Sequence, residues 1–166
     1  TQGLEGLDER LKEYYSLGAK FTKWRAVIKV GDSLPSEEAV TSNMNALAEY
    51  AKLVQENNMV PMVEPEVLMD GNHSIDQCFE ATSRSLECLF RLLKEKGVNI
   101  KGTILKPNMV TSGSESSNKA DIDEVASQTI RCLKMHVPND LPGVTFLSGG
   151  QSDLDSTAHL DAMNRI

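Results

Sequence analysis

Four short apolar runs alternate with amphipathic helical patterns along 166 residues. This alternation predicts an α/β fold of about four parallel strands joined by helical crossovers. A second observation sets the strands in phase. Each run carries one polar side chain, at Lys23, Glu64, Lys106 and Ser148, and these stand 41, 42 and 42 residues apart. A strand–helix unit recurring with one phase is the pattern of a TIM (β/α)8 barrel, in which polar side chains at one depth converge where the strands end. A whole barrel takes eight strands and about 250 residues. The expectation is therefore a single, partial (β/α) barrel domain over residues 1–166, open rather than closed.

The first helix is expected from Leu7 to Leu17. Asp8 can cap it, Leu7, Leu11 and Tyr14 share a face, and Gly18 suits the left-handed position that ends it. Phe21 to Val30 reads as a strand with two distinct faces. Trp24, Ala26, Ile28 and Val30 form an apolar face for a helix layer, while Lys23, Arg25, Val27 and Lys29 form a face with three cations. Ser36 can cap a helix running to about Asn57, striped by Val40, Met44, Leu47, Ala51 and Val54. Met59 to Val67 reads as the second strand, with Met62, Glu64 and Glu66 on one side.

Asp70-Gly71-Asn72 signals a turn, and Ser74 with Gln77 a capping box for a helix that Gly97 stops. The third strand is expected over residues 102–108. Thr111 to Lys119 is polar and rich in Ser and Gly, and reads as a mobile loop. Asp121 with Glu124 starts the next helix, striped by Ile122, Val125, Ala126, Ile130 and Leu133. Val144 to Leu147 reads as the fourth strand. Ser152 with Asp155 then opens a last helix, expected to be incomplete at Ile166.

Composition narrows the function. The net charge is −7 and no basic block is present, which argues against a nucleic-acid partner. It also disfavours anionic substrates unless cations are gathered locally. No stretch approaches the ~18 apolar residues of a membrane span, and no signal peptide is expected. Both ends look cut: the chain starts at Thr1 without Met and stops in an apparent helix. Cys78, Cys88 and Cys132 are odd in number with no CxxC, as free thiols in a reducing compartment would be. His73, His136 and His159 are far apart and lack ligand spacing, so neither a metal nor a cofactor is expected.

Lys106 is the residue around which chemistry can be built. Strands rich in Ile, Leu and Val normally exclude an ammonium because desolvating it is costly. An inward lysine beside another cation keeps a fraction of neutral amine, and a neutral amine attacks carbonyls to form Schiff bases. The ordinary alternative is a lysine whose stem lies on apolar surface with its head in water. Ser148-Gly149-Gly150 before a helix start adds backbone N–H groups of the kind that receive an anion.

Four motifs are Ala19-Lys20-Phe21-Thr22-Lys23-Trp24-Arg25, Val63-Glu64-Pro65-Glu66, Leu105-Lys106-Pro107-Asn108-Met109-Val110 and Phe146-Leu147-Ser148-Gly149-Gly150-Gln151-Ser152. Together they resemble the class I (Schiff-base) fructose-bisphosphate aldolases along essentially the whole chain. The resemblance implies a TIM barrel and reversible cleavage of fructose 1,6-bisphosphate to dihydroxyacetone phosphate and glyceraldehyde 3-phosphate. It also implies a phosphorylated sugar as the small-molecule partner, a cytoplasmic setting in glycolysis, and a homo-oligomer, tetrameric in the family. It assigns Lys106 as the Schiff-base lysine, Glu64 as the acid/base that dehydrates the carbinolamine, Lys23 as the second active-site lysine and Glu66 as its carboxylate neighbour. By the same resemblance Arg25 is expected to take a substrate phosphate, and Ser148 and Gly149 the C1-phosphate. The chain matches about strands four to seven. The family's first-strand aspartate, third-strand lysine, eighth-strand arginine and C-terminal tyrosine have no counterparts, so weak or absent aldolase activity is expected of this piece alone. The competing readings are an inactive aldolase fragment or binding module, and another Schiff-base barrel lyase.

Overall fold

Four side chains start helices by turning an oxygen onto a backbone N–H three residues ahead. Ser36 receives Ala39 N at 3.1 Å, Ser74 receives Gln77 N at 3.2 Å, Asp121 receives Glu124 N at 2.8 Å and Ser152 receives Asp155 N at 3.0 Å. Each bond satisfies a helix-end donor that has no partner within the helix. At Ser74 the Gln77 side chain returns the bond, completing the capping box. The computed structural model describes residues 2–166. Its elements are α1 (Leu7–Ser16), β1 (Phe21–Ile28), α2 (Glu37–Glu56), β2 (Val60–Val67) and α3 (Ile75–Glu95). Then come β3 (Ile104–Leu105), α4 (Ile122–His136), β4 (Gly143–Val144) and α5 (Asp153–Met163).

The strands form one sheet in the order β1-β2-β3-β4, and every pairing is parallel. This is the open partial barrel that the strand–helix alternation predicts. The apolar face of β1, with Ala26 and Ile28, is buried against the helix layer. The α2 stripe of Val40, Met44, Leu47, Ala51 and Val54 is buried as its spacing requires. β2 is central and shielded on both faces, so Val63, Glu64, Glu66 and Val67 are all buried. At the two edges Phe21, Val27 and Val144 remain exposed. Cys78, Cys88 and Cys132 are free and buried, and burial pushes the Cys78 thiol up to about 11, as a core cysteine requires.

Several expectations need correction. Asp8 does not cap α1: Gly6 stands at that position with φ 60°. The Asp8 carboxylate instead takes Asn57 Nδ2 at 2.8 Å and Lys12 Nζ at 2.6 Å. Tyr14 is exposed, and only Leu7 and Leu11 of α1 are buried. β3 covers two residues rather than 102–108, because Pro107 cannot continue the ladder and a 3-10 turn fills Ile100–Gly102. β4 is equally short, although Thr145 N and Leu147 N still donate to the carbonyls of Leu105 and Pro107, at 2.9 and 3.2 Å. Ile122 is exposed, and Thr129 and Cys132 join Val125 and Ala126 on the buried side of α4. The last helix ends at Met163 with Asn164 as its C-cap, and is not interrupted at Ile166.

The polar segment after β3 is tied down rather than free. Gly113 N donates to His73 O, Ser114 N to Met69 O and Glu115 N to Gly71 O, at 2.9, 2.6 and 2.8 Å. Lys119 Nζ donates to Gly113 O, and Thr111 and Ser112 are buried. Ser114, Glu115 and residues 117–119 stay exposed, so their side chains face water while the backbone of 113–115 pairs with the neighbouring loop. A Cβ on Gly113 would lie 2.3 Å from the backbone oxygen of Gly71. Gly113→Ala should therefore separate the loops, costing about 1–3 kcal/mol as an overpacking change. Hydrogen exchange would show faster exchange at Ser114 and Glu115, and unchanged rates there would contradict the pairing.

Candidate active site

The parallel register decides which side chains meet. Arg25 lies opposite Glu64 and Val27 opposite Glu66 across β1 and β2, while Val63 lies opposite Leu105 across β2 and β3. Side chains of the same parity therefore project from neighbouring strands at adjacent depths. Lys23 comes from β1, Glu64 from β2, and Lys106 from the residue just past β3.

Glu64 is the centre of the set. Its side chain is only 4% exposed, with Lys106 Nζ 3.0 Å from Oε1 and Lys23 Nζ 3.0 Å from Oε2. Both contacts are charge pairs by distance, and Oε2 has no hydrogen bond of normal angle. Burial by itself raises the Glu64 carboxyl. The Lys106 and Lys23 ammonium groups together outweigh burial and hold it below the ordinary carboxylate value. This differs from a carboxyl moved upward toward neutral pH: two cations oppose one desolvation penalty. The Lys106 side chain is 27% exposed and that of Lys23 41%. Lys106 is thus neither sealed in the core nor extended into water.

Arg25 and Glu66 form the second pair, with Arg25 Nε donating to Glu66 Oε2. The bond to Glu66 raises the guanidinium further, so the arginine stays cationic. Arg25, Glu64, Glu66, Lys106, Ser148 and Gly149 line one cleft of about 610 Å³. Lys23 lies outside its walls and joins the set through Glu64. The Ser148 side is a tight turn: Gly149 and Gly150 have φ 65° and 95°, conformations that glycine adopts readily. Gln151 closes the turn, with N and Nε2 donating to Ser148 O at 3.2 and 2.8 Å. The start of α5 follows at once. A larger cleft, about 750 Å³, lies between the starts of α4 and α5 and holds none of the predicted residues.

Two residues escaped the sequence reading. Asp70, read only as part of a turn, lines the cleft. Asn108 lies behind it, buried, with Oδ1 accepting from Val67 N at 2.9 Å and Nδ2 donating to Thr82 Oγ1 at 3.1 Å. A carboxamide in the apolar run after Lys106 was the available signal. Among the described residues no group of three or more His, Cys, Asp or Glu side chains is placed to hold a metal, and no helix is long and apolar enough to cross a membrane.

The family model for class I fructose-bisphosphate aldolase, described as glycolytic, matches residues 1–166. The chain belongs to the class I fructose-bisphosphate aldolase family. A relative from Xylella fastidiosa strain 9a5c, named "Probable fructose-bisphosphate aldolase class 1", is 56% identical over the whole chain. "Fructose-bisphosphate aldolase 4, cytosolic" of Arabidopsis thaliana is 48% identical. These matches cover 50% and 42% of those two proteins, so the chain spans about half the length of the curated relatives it matches. A solved structure of Plasmodium falciparum fructose-bisphosphate aldolase, in complex with TRAP and a small-molecule inhibitor, superposes with a TM-score of 0.95 at 46% identity. That match covers 98% of this chain and 47% of the other.

Glu64 also couples the site to stability. A carboxyl held low in the folded state contributes stability above its ordinary value and loses it as pH falls through the folded value. Urea unfolding should therefore show stability dropping below the ordinary glutamate range, with Lys23 and Lys106 left unneutralised. Glu64→Gln should flatten that acid-side slope, and an identical slope in both proteins would contradict the charge assignment.

Proposed function

We propose that this chain carries the Schiff-base part of a fructose 1,6-bisphosphate aldolase site. One observation carries the reading: a buried carboxylate, Glu64, holds two lysine ammonium groups at 3.0 Å, one on each oxygen. Lys106 is the nucleophile. It loses a proton, with Glu64 as the nearest base, and its amine attacks the C2 ketone to form a carbinolamine. Glu64 then protonates the departing hydroxyl, water leaves, and an iminium forms on Lys106. The iminium receives the electron pair of the C3–C4 bond once the C4 hydroxyl is deprotonated. Glyceraldehyde 3-phosphate departs and the enamine remains. Protonation at C3 and hydrolysis then release dihydroxyacetone phosphate. The base for the C4 hydroxyl is assigned to no residue of this chain, in keeping with its length of about half its relatives.

Lys23 sits near the sugar hydroxyls and Glu66 holds Arg25, which meets a substrate phosphate. Ser148 and Gly149 offer a hydroxyl and a backbone N–H to the C1-phosphate, and the α5 N-terminus favours that anion. These cations answer the objection that a chain of charge −7 repels a bisphosphate. A cytoplasmic, glycolytic role in a homo-oligomer, tetrameric as in the family, completes the proposal. The relatives named cytosolic support its location.

Borohydride with dihydroxyacetone phosphate tests the nucleophile. Peptide mapping should find the reduced adduct on Lys106. Lys106→Arg should abolish it, because a guanidinium stays protonated. An adduct on Lys23 instead would sink the assignment.

A further inference from the structure

We propose that Asn108 is a positioning residue for Lys106, its carboxamide standing in for strand pairing that two prolines interrupt. The proposal rests on Lys106 being the nucleophile. Regular pairing between β2 and β3 stops at Val63 and Leu105, one residue before Glu64 and Lys106. The last rung is Lys106 N donating to Val63 O at 2.9 Å. Pro65 and Pro107 come next, and neither has an N–H to give. The backbone is therefore short of donors beside the two residues whose separation matters most.

Asn108 bridges this gap. Its Oδ1 accepts from Val67 N at 2.9 Å, beyond Glu66 on β2. Its Nδ2 donates to Thr82 Oγ1 on α3 and to Met109 O, each at 3.1 Å. One carboxamide thus joins the end of β2, the segment carrying Lys106 and the helix behind them. Asn108 and Thr82 are both buried, and Asn108 does not line the cleft, so it acts through Lys106 rather than on a substrate. On the other side, the Lys106 segment is held by the stretch that follows β4, an edge strand of two residues, through Leu147 N to Pro107 O at 3.2 Å. The link to β2 is the better supported of the two, because β2 is buried within the sheet.

Truncating Asn108 leaves the Val67 N–H without its buried acceptor and frees the chain to shift after Lys106. A displacement of about 1 Å at a reacting group costs on the order of a hundredfold in rate.

The test is stopped-flow borohydride trapping of dihydroxyacetone phosphate on the purified 166-residue chain. The limiting rate and half-saturating concentration are read separately, with the Lys106 peptide quantified against the Lys96 peptide. Asn108→Ala should lower the limiting rate about tenfold or more while the half-saturating concentration moves less than about threefold. Thr82→Val removes one of the two Nδ2 partners and leaves the Met109 carbonyl, should fall in the same direction by about threefold, and decides the matter if Asn108→Ala does not fold. Thr129→Val is the control. Its hydroxyl, equally buried, accepts from Val110 N at 2.9 Å on the same segment. It should lower the melting temperature yet keep the limiting rate within about twofold. Equal losses from Asn108→Ala and Thr129→Val at matched stability would overturn the positioning role and leave the nucleophile assignment intact. An unmodified chain with no adduct on Lys106 would overturn both.

Discussion

The site depends on one carboxylate that cannot be left alone. Glu64 is buried under two lysine amines, and taking its charge out of water costs several kcal/mol unless both partners stay close. The three charges come from β1, β2 and the residue just past β3, so their contact requires a parallel sheet in this order and register. A slip of one residue in any strand would turn its side chain to the opposite face. Fold and chemistry are thus tied at one point. The sheet brings the charges together, and their mutual neutralisation makes a charged interior tolerable.

The same strands give up regularity where the charges sit. Pro65 follows Glu64 and Pro107 follows Lys106, so the two key residues border positions that cannot donate to a ladder. β3 and β4 have only two residues of regular pairing each, yet their backbones remain attached through Lys106 N, Thr145 N and Leu147 N. Beyond them, bonds between loops take over: residues 113–115 pair with 69–73, and Ser112 Oγ receives Ala120 N. The rim after the strands is therefore built by specific hydrogen bonds rather than by continuing the sheet.

What was legible in the sequence was local or periodic. Ser36, Ser74, Asp121 and Ser152 cap helices because a cap needs only a short side chain and the next turn of backbone. The α2 stripe and the two faces of β1 follow from periods of 3.6 and 2. The near-constant interval between Lys23, Glu64, Lys106 and Ser148 marked one polar residue per strand–helix unit, although the register sets Arg25 rather than Lys23 opposite Glu64. It did not show that both lysines would share one carboxylate, because partner choice depends on side-chain reach across strands. Tertiary competition hid the rest. Asp8 looked like a cap until Asn57, 49 residues away, claimed it. Residues 111–119 looked mobile because their partners lie in another loop. Asn108 stood only as one member of a motif, and its bonds to Val67 and Thr82 span 41 and 26 residues that no local pattern reports.

The whole site turns on Glu64 being an ionised, buried carboxylate held by Lys23 and Lys106 together. Carboxyl carbon NMR of labelled glutamate, titrated with pH, reads this directly. The Glu64 resonance should titrate below the ordinary glutamate value, and its midpoint should rise in both Lys106→Met and Lys23→Met as each cation is withdrawn. A midpoint at or above the ordinary value in the unaltered chain, or one indifferent to both substitutions, would mean that the two lysines do not hold Glu64 ionised.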